Sequence, residues 1–251
     1  MNKTVLGVIT AVALGLSGSA NAADLSAGPY TKAPAVAVYD WTGFYIGGNG
    51  GGGFAYKCWN LVEDAFGDLP GAEGCHEASG ATVGGQIGYR WQTGQFVFGV
   101  EGQANWADVR GSNTSLLFAP DVNRSRIDKF GLITGQFGYA FDNVLLYVKG
   151  GAAVTGEKYD TSTGDTGALL ASASETRWGG ALGIGLEFGF APGWSVGAEW
   201  DHLFIGTRTL NLNDPTGAFF ETENIRGDVD IGLVRFNYRF GGPSGPITAS
   251  Y

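Results

Sequence analysis

The sequence predicts an all-β fold: an eight-stranded antiparallel transmembrane β-barrel in an up-and-down meander. Three observations support this prediction. Segments of about ten residues alternate apolar with polar or small side chains, which is the period of a strand with one apolar face. Aromatic side chains stand at both ends of these apolar faces. The connections between the segments are alternately short and long, as in outer-membrane barrels.

The composition agrees with a barrel and excludes other classes of protein. Glycine accounts for 44 of 251 residues, aromatic residues for 13% and charged residues for only 16%. Disordered or collagen-like glycine-rich chains lack such an aromatic content. No segment after the N-terminal region has about 18 consecutive apolar residues, so a helical membrane protein is excluded. The net charge of −9 makes nucleic acid an unexpected partner.

The N-terminus has the pattern of a secretory signal peptide, predicted at residues 1–22. Lys3 supplies the positive region, residues 5–16 are apolar, and a small-x-small pattern predicts cleavage after Ala22. A helical anchor is the alternative, but about a dozen apolar residues fall short of the roughly 20 that span a bilayer. The rest of the chain divides into a periplasmic lead-in at 23–40, the barrel at 41–240 and a C-terminal tail at 241–251.

Eight segments follow the two-residue period of a strand. In 81–91, odd positions such as Val83, Ile87 and Trp91 are apolar, whereas even positions are polar or glycine. This pattern predicts one face toward an apolar environment and one toward a polar one. The eight predicted strands lie at about residues 41–50, 81–91, 96–106, 127–139, 144–154, 176–190, 194–204 and 229–240.

The connections between these segments indicate which end of the barrel faces outward. Short connections are predicted at about 92–95, 140–143 and 191–193, and long loops at about 53–79, 108–126, 155–175 and 207–228. Outer-membrane barrels place short turns in the periplasm and long loops outside. A soluble lipocalin-like barrel is the alternative, and it would turn its apolar face inward.

The polar face of each strand is predicted to fill the lumen. Because a bilayer core offers no hydrogen-bond partners, the sheet must close on itself and turn its apolar face to lipid. An eight-stranded barrel is just wide enough inside for side chains. We interpret the inward charges as a cross-barrel ion-pair network; a proton relay or a selectivity filter is the alternative. These residues are Arg90, Glu101, Lys149, Arg177, Glu187, Glu199, Arg235 and Arg239, with Asp201 near the rim.

The first long loop contains two cysteines and a group of acidic residues. Cys58 and Cys75 are predicted to form a disulfide, because the periplasm is oxidising. It would close a loop of about 16 residues and contribute on the order of 3 kcal/mol. A metal site with His76 is the alternative. The loop is also acidic, which predicts a solvated surface or, alternatively, divalent cations that bridge to lipopolysaccharide; its acids are Glu63, Asp64, Asp68, Glu73 and Glu77.

Two segments carry a resemblance to a known family. Trp41-Thr42-Gly43-Phe44-Tyr45-Ile46-Gly47-Gly48-Asn49 resembles the opening strand of the small outer-membrane proteins of alpha-proteobacteria, which include rhizobial and Brucella major surface proteins and haemin-binding relatives. Phe236-Asn237-Tyr238-Arg239-Phe240 resembles the closing strand. The resemblance covers about 41–240 and implies a barrel similar to the membrane domain of outer membrane protein A. It also implies a role in envelope integrity and surface exposure, with haemin binding in some members.

The closing strand also carries a predicted assembly signal. Barrels usually end on an aromatic residue that the barrel-assembly machinery reads, and Phe236, Tyr238 and Phe240 fit this role. In this chain a tail follows Phe240. Because the tail contains Pro243 and Pro246, it does not extend the strand. Whether the signal is Phe240 or the tail stays open at this point.

The sequence therefore predicts a structural, surface-exposed protein of the outer membrane that is not an enzyme. Its expected partners are outer-membrane lipids, lipopolysaccharide and the barrel-assembly machinery. No cofactor or metal is expected. Two alternatives remain open: a narrow porin for small solutes, and haemin capture through His76, Tyr56, Tyr159 and His202.

Overall fold

The computed structural model describes residues 39–67 and 70–241, so the predicted signal peptide, most of the lead-in and nearly all of the tail lie outside the described residues. Among the described residues, no helix is long and apolar enough to cross a membrane. This part of the chain forms nine strands: β1 (Gly43–Asp64), β2 (Gly71–Thr93), β3 (Phe96–Thr114), β4 (Val122–Phe141), β5 (Val144–Ser162), β6 (Leu169–Ala191), β7 (Trp194–Phe204), β8 (Thr207–Asn213) and β9 (Phe219–Arg239).

The strands form one closed antiparallel meander. Each strand from β1 to β6 pairs with the next, and β1 also pairs with β9, which closes the barrel. Both β7 and β8 pair with β9: Leu203 lies opposite Val229, and Thr207 lies opposite Arg226. The two segments are therefore one strand interrupted at Gly206, whose φ is +70°. The predicted eight-stranded barrel is confirmed, with its seventh strand in two pieces.

The apolar side chains point outward, as expected for contact with lipid. Trp106, Trp178 and Phe54 are 74%, 68% and 63% exposed. A soluble barrel would bury such side chains, so the lipocalin-like alternative is excluded. Two circles of aromatic side chains around the barrel, the lower ring and the upper ring, mark the edges of a lipid-facing zone that we call the belt. The lower ring contains Phe44, Trp91, Phe96, Phe141, Phe190, Trp194 and Tyr238; the upper ring contains Phe54, Trp106, Trp178, Trp200 and Phe204.

The prediction of short turns at one end is confirmed, whereas the prediction of long external loops is wrong. Two-residue turns occur at 94–95, 142–143 and 192–193. Beyond the upper ring, the segments predicted as loops continue as paired strands; among the described residues, the external connections between hairpin strands shrink to 65–67 with 70, 115–121, 163–168 and 214–218.

The strands are longer than a bilayer requires, because their pairing continues beyond the upper ring. Strands β1 to β6 and β9 contain 19 to 23 residues, whereas about 9–11 residues cross a bilayer. About ten residues of each strand therefore extend beyond the belt, or roughly 30 Å along the strand. Water surrounds this outer part, so its outward face has no need to be apolar.

Candidate functional site

The lower half of the lumen holds a buried network of charges. The guanidinium of Arg235 donates to both Glu101 and Glu199. The Nζ of Lys149 lies 2.7 Å from Oε1 of Glu199, 3.2 Å from Oδ1 of Asp201 and 3.6 Å from Oε1 of Glu101. All five side chains are buried. The network joins β3, β5, β7 and β9 across the barrel.

A second part of this network lies around Arg90. Its Nη2 is 2.9 Å from Oε2 of Glu187, and its guanidinium lies 4.5 Å from the ring centroid of Tyr45. The hydroxyl of Tyr45 donates to Glu101 at 2.6 Å, and that of Tyr147 donates to Glu199 at the same distance. Two tyrosines thus connect the two parts of the network.

Two of the eight predicted lumen charges lie outside the lower network. Arg239 is at the periplasmic rim, where Nη1 donates to the backbone carbonyl of Thr42 at 2.8 Å. Arg177 lies above the belt, where Nη1 is 3.4 Å from Oε2 of Glu157. Glu157 also pairs with Lys57 at 2.7 Å. Sequence reasoning missed Lys57 and Glu157 as lumen residues because both fall in segments predicted as external loops.

Apolar layers separate and cover these polar clusters. One layer lies between the lower network and the Lys57 cluster; its larger members are Val109, Ile127, Phe130, Leu132, Leu203, Ile205, Ile231 and Leu233. A gap within it measures about 10 Å³, which is about the space of one water. A second layer lies above the Lys57 cluster and contains Trp59, Tyr159, Ala171, Leu210, Leu212 and Ile225. The lumen is thus filled by alternating polar and apolar layers.

Above the second layer, three carboxyl groups converge at the external end of the barrel. Glu73 comes from β2, and Glu221 and Glu223 come from β9; their exposures are 1%, 3% and 0%. One carboxylate oxygen of each lies within 4.8 Å of those of the other two. We call these residues the acidic triad. A cavity of about 160 Å³ adjoins it, lined partly by Asp64, Glu73, Asp121 and Glu221.

Burial, and then mutual repulsion, raise the pKa values of the triad members. Burial raises the pKa of Glu223 to about 9, and repulsion from Glu73 and Glu221 adds to this; the Asn60 backbone amide offsets only part of it. The pKa of Glu221 is raised to about 7 by burial first and then by Glu73. Burial also raises the pKa of Glu73. Without a counter-charge, Glu223 is therefore neutral at pH 7.

Hydrogen bonds satisfy only part of the triad. Asn123 donates to Oε2 of Glu73, and the hydroxyl of Thr161 donates to Oε1 of Glu221 at 3.1 Å. By contrast, both carboxylate oxygens of Glu223 and Oε1 of Glu73 are buried and form no well-aligned hydrogen bond, although the Asn60 backbone amide lies near Glu223 and the Ser115 hydroxyl lies near Glu73. Buried polar atoms in folded proteins rarely stay unpaired. These oxygens therefore lack a hydrogen-bond donor or a cation in this arrangement.

The acids predicted to share one exposed loop surface are separated in the structure. Glu73 points inward, Glu77 is exposed on the same strand, and Glu63 accepts a hydrogen bond from Thr222 at 3.4 Å. Asp68 lies outside the described residues. Sequence reasoning missed Glu221 and Glu223, although their spacing of two residues would have placed them on one face of a strand.

The disulfide is confirmed, but it lies in a sheet and not in a loop. The sulfur atoms of Cys58 and Cys75 are bonded at 2.05 Å, and the two residues are directly opposite each other on β1 and β2. The thiols are therefore not available to bind a metal with His76.

The four residues considered for haemin capture do not come together. Tyr159 is fully buried in the lumen, whereas Tyr56 is 59% exposed on the outer wall. His76 lies on the strand paired with that of Tyr56 but faces the interior. His202 belongs to β7, where Nδ1 is 2.8 Å from Oδ1 of Asp230.

Known proteins resemble this chain along most of its length. Residues 9–240 match the family model described as "Outer membrane protein beta-barrel domain". The 31 kDa outer-membrane immunogenic protein of Brucella melitensis is 29% identical over 244 residues, covering 93% of this chain and 98% of that protein. The 22 kDa outer membrane protein of Rhizobium leguminosarum is 29% identical over 162 residues, covering 62% of this chain and 60% of that protein.

A solved structure supports the same fold. The outer membrane protein OprG from Pseudomonas aeruginosa superposes with a TM-score of 0.55 at 14% identity, covering 82% of this chain and all of OprG. The resemblance to alpha-proteobacterial outer-membrane proteins is confirmed by the Brucella and Rhizobium relatives. Because the family model spans the whole barrel, the chain belongs to the outer membrane protein beta-barrel domain family and is a protein of the outer membrane.

Proposed function

We propose that the protein is a closed, structural barrel that strengthens the outer membrane and carries long, stiff hairpins to the cell surface. In this proposal it is neither a porin nor an enzyme. The observation that carries the proposal is the filling of the lumen by alternating layers of ion pairs and apolar side chains. A solute crossing the barrel would have to displace each layer in turn.

The energetic cost of opening such a lumen supports a closed state. Removing one partner from a buried ion pair typically costs about 3–5 kcal/mol, because the other charge is left unpaired in a poorly hydrated site. Arg235 alone contacts two carboxylates, and Lys149 contacts three. A conducting state would need several of these contacts to break together.

The outer wall supports contact with lipopolysaccharide and with the assembly machinery. Lys129 lies opposite Trp106 of the upper ring and is exposed at the level of the outer leaflet head groups. An ammonium group there suits a lipid phosphate. At the other end, Phe236 and Tyr238 on the last strand and Phe240 directly after it are exposed to the outside of the barrel, where they are accessible to the assembly machinery.

Conductance in a planar bilayer tests whether the lumen is closed. We expect the refolded protein to give no steady unitary steps, while a refolded open porin in the same bilayer conducts. Retention of fold is checked by the shift between heated and unheated samples on SDS gels. Steady unitary steps from the folded protein, lost after denaturation, would show that it is a porin.

Cells that lack the protein test its structural role. We expect the deletion strain to become more sensitive to detergents, and the wild-type gene to restore resistance. Unchanged detergent sensitivity of the deletion strain would contradict the structural proposal while leaving the conductance result intact.

A further inference from the structure

The acidic triad is a second site, separate from the ion-pair network of the belt. Glu223 is nine residues beyond Gly232, the residue of β9 that lies opposite Trp200 of the upper ring. That separation is roughly 30 Å along the strand. The triad is therefore at the external end, where water and ions reach the barrel from outside.

The surroundings of the triad are acidic. The strongest charged neighbours of Glu221 are Glu73, Asp64 and Asp121. Those of Glu223 are Glu73 and Glu221. Three buried carboxyl groups that face one another repel in their charged forms. A cation or protons must balance them.

We propose that Glu73, Glu221 and Glu223 form a binding site for one calcium ion. Calcium takes six to eight oxygen ligands at about 2.3–2.6 Å, so two ligand oxygens of one ion are at most about 5 Å apart. The mutual separation of 4.8 Å or less fits one ion among the three carboxylates. The unpaired oxygens of Glu223 and Glu73 are free to act as ligands.

The adjoining cavity has space for the additional oxygen ligands that three carboxylates do not supply. Its volume of about 160 Å³ has room for several waters that complete a calcium shell. The hydroxyl oxygen of Thr161 lies at this cavity, 3.1 Å from Oε1 of Glu221. Magnesium demands near-ideal octahedral geometry and keeps its waters, which makes this irregular set of ligands a poorer match for it.

The ion would connect strands that are not direct neighbours. Glu73 lies on β2, and Glu221 and Glu223 lie on β9, with β1 between them. Bound calcium would therefore fasten the external end of the three-stranded sheet where the barrel closes. This role is independent of whether the lumen conducts.

Calcium titration of the refolded full-length mature protein tests the proposal. The protein is treated with EGTA, dialysed and titrated with calcium chloride at pH 7.5 in a calorimeter. We expect one saturable site in the wild type. Glu223→Gln should weaken binding at least tenfold, and so should Glu73→Gln, which serves if the first variant does not fold. The matched control is Glu77→Gln, an exposed acid on the same strand, which should leave the affinity unchanged.

A second measurement separates a bound ion from bound protons. EGTA should lower the thermal midpoint of the wild type and leave that of Glu223→Gln unchanged. A folded wild type that binds no calcium would overturn the proposal, since the carboxyl groups would then be kept neutral by protons alone. Equal affinity in the wild type and Glu223→Gln would overturn it as well, because the ion would then bind elsewhere.

Discussion

Arg235 is fully buried and donates to both Glu101 and Glu199, so its loss leaves two buried carboxylates short of a counter-charge. We expect Arg235→Met to reduce the free energy of unfolding by about 3–5 kcal/mol, the cost of breaking a buried pair from one side. The measurement is urea unfolding of the refolded protein in lipid vesicles, followed by tryptophan fluorescence.

Arg110 provides the matched control for that substitution. It pairs with Asp108 at 2.6 Å through Nη2, but its side chain is 59% exposed. Exposed pairs contribute about 0–1 kcal/mol, so Arg110→Ala should barely move the unfolding midpoint. Equal effects of the two substitutions would contradict the view that the lumen network stabilises the barrel.

Lumen residues could be predicted from the sequence mainly inside the belt; Arg177, just beyond Trp178 of the upper ring, is the exception. Inside the belt, lipid forces one face to be apolar, so a charge such as Glu199 between apolar neighbours must point inward. Beyond the belt this constraint ends, and Lys57 or Glu223 cannot be distinguished from solvated loop residues by alternation. The pairing of specific partners, such as Lys149 with Glu199, depends on strand register, which the sequence pattern does not specify.

At the scale of elements, the closure of the barrel depends on close approach between β1 and β9. A Cβ atom at Gly51 would overlap the backbone carbonyl oxygen of Gly232. Backbone atoms in a paired strand cannot move aside easily, so we expect Gly51→Ala to cost about 1–3 kcal/mol, as overpacking does. The measurement is the fraction of folded, faster-migrating protein on unheated SDS gels after refolding.

Gly48 on the same strand is the control for this prediction. A Cβ there would meet only the carbonyl oxygen of Gly84, at an ordinary 3.8 Å. Gly48→Ala should therefore refold like the wild type, with a change within about 0.5 kcal/mol. If Gly51→Ala refolded equally well, tight approach at the β1–β9 seam would not be needed for closure.

The strand predictions are correct in the belt and wrong outside it for one physical reason. In 176–190 the period of two is complete because lipid and lumen demand opposite side chains. In β8, Leu210 and Leu212 are buried on one face, yet the strand is short and begins after the break at Gly206. Such a pattern, with polar residues on the water-exposed face, is typical of loops as well as strands, so 207–228 was predicted as a loop.

For the whole molecule, the difference between stiff hairpins and long loops can be tested by proteolysis. Beyond the belt, every lysine and arginine of the described residues lies in a strand, and the four connections contain none. Proteases need locally unfolded chain. We therefore expect trypsin added to whole cells to leave the folded barrel uncut, as judged by its length on reducing gels.

Chymotrypsin gives the opposite expectation on the same sample. Phe66 and Leu116, in two of the connections, are 76% and 73% exposed. Cleavage at these tips would show that the protease reaches the external end, so resistance to trypsin would reflect strand pairing and not shielding by lipid. Rapid trypsin cleavage near Arg124 or Arg208 in the folded protein would instead indicate mobile external loops. In that case the acidic triad would also lose the fixed strands that bring β2 and β9 together.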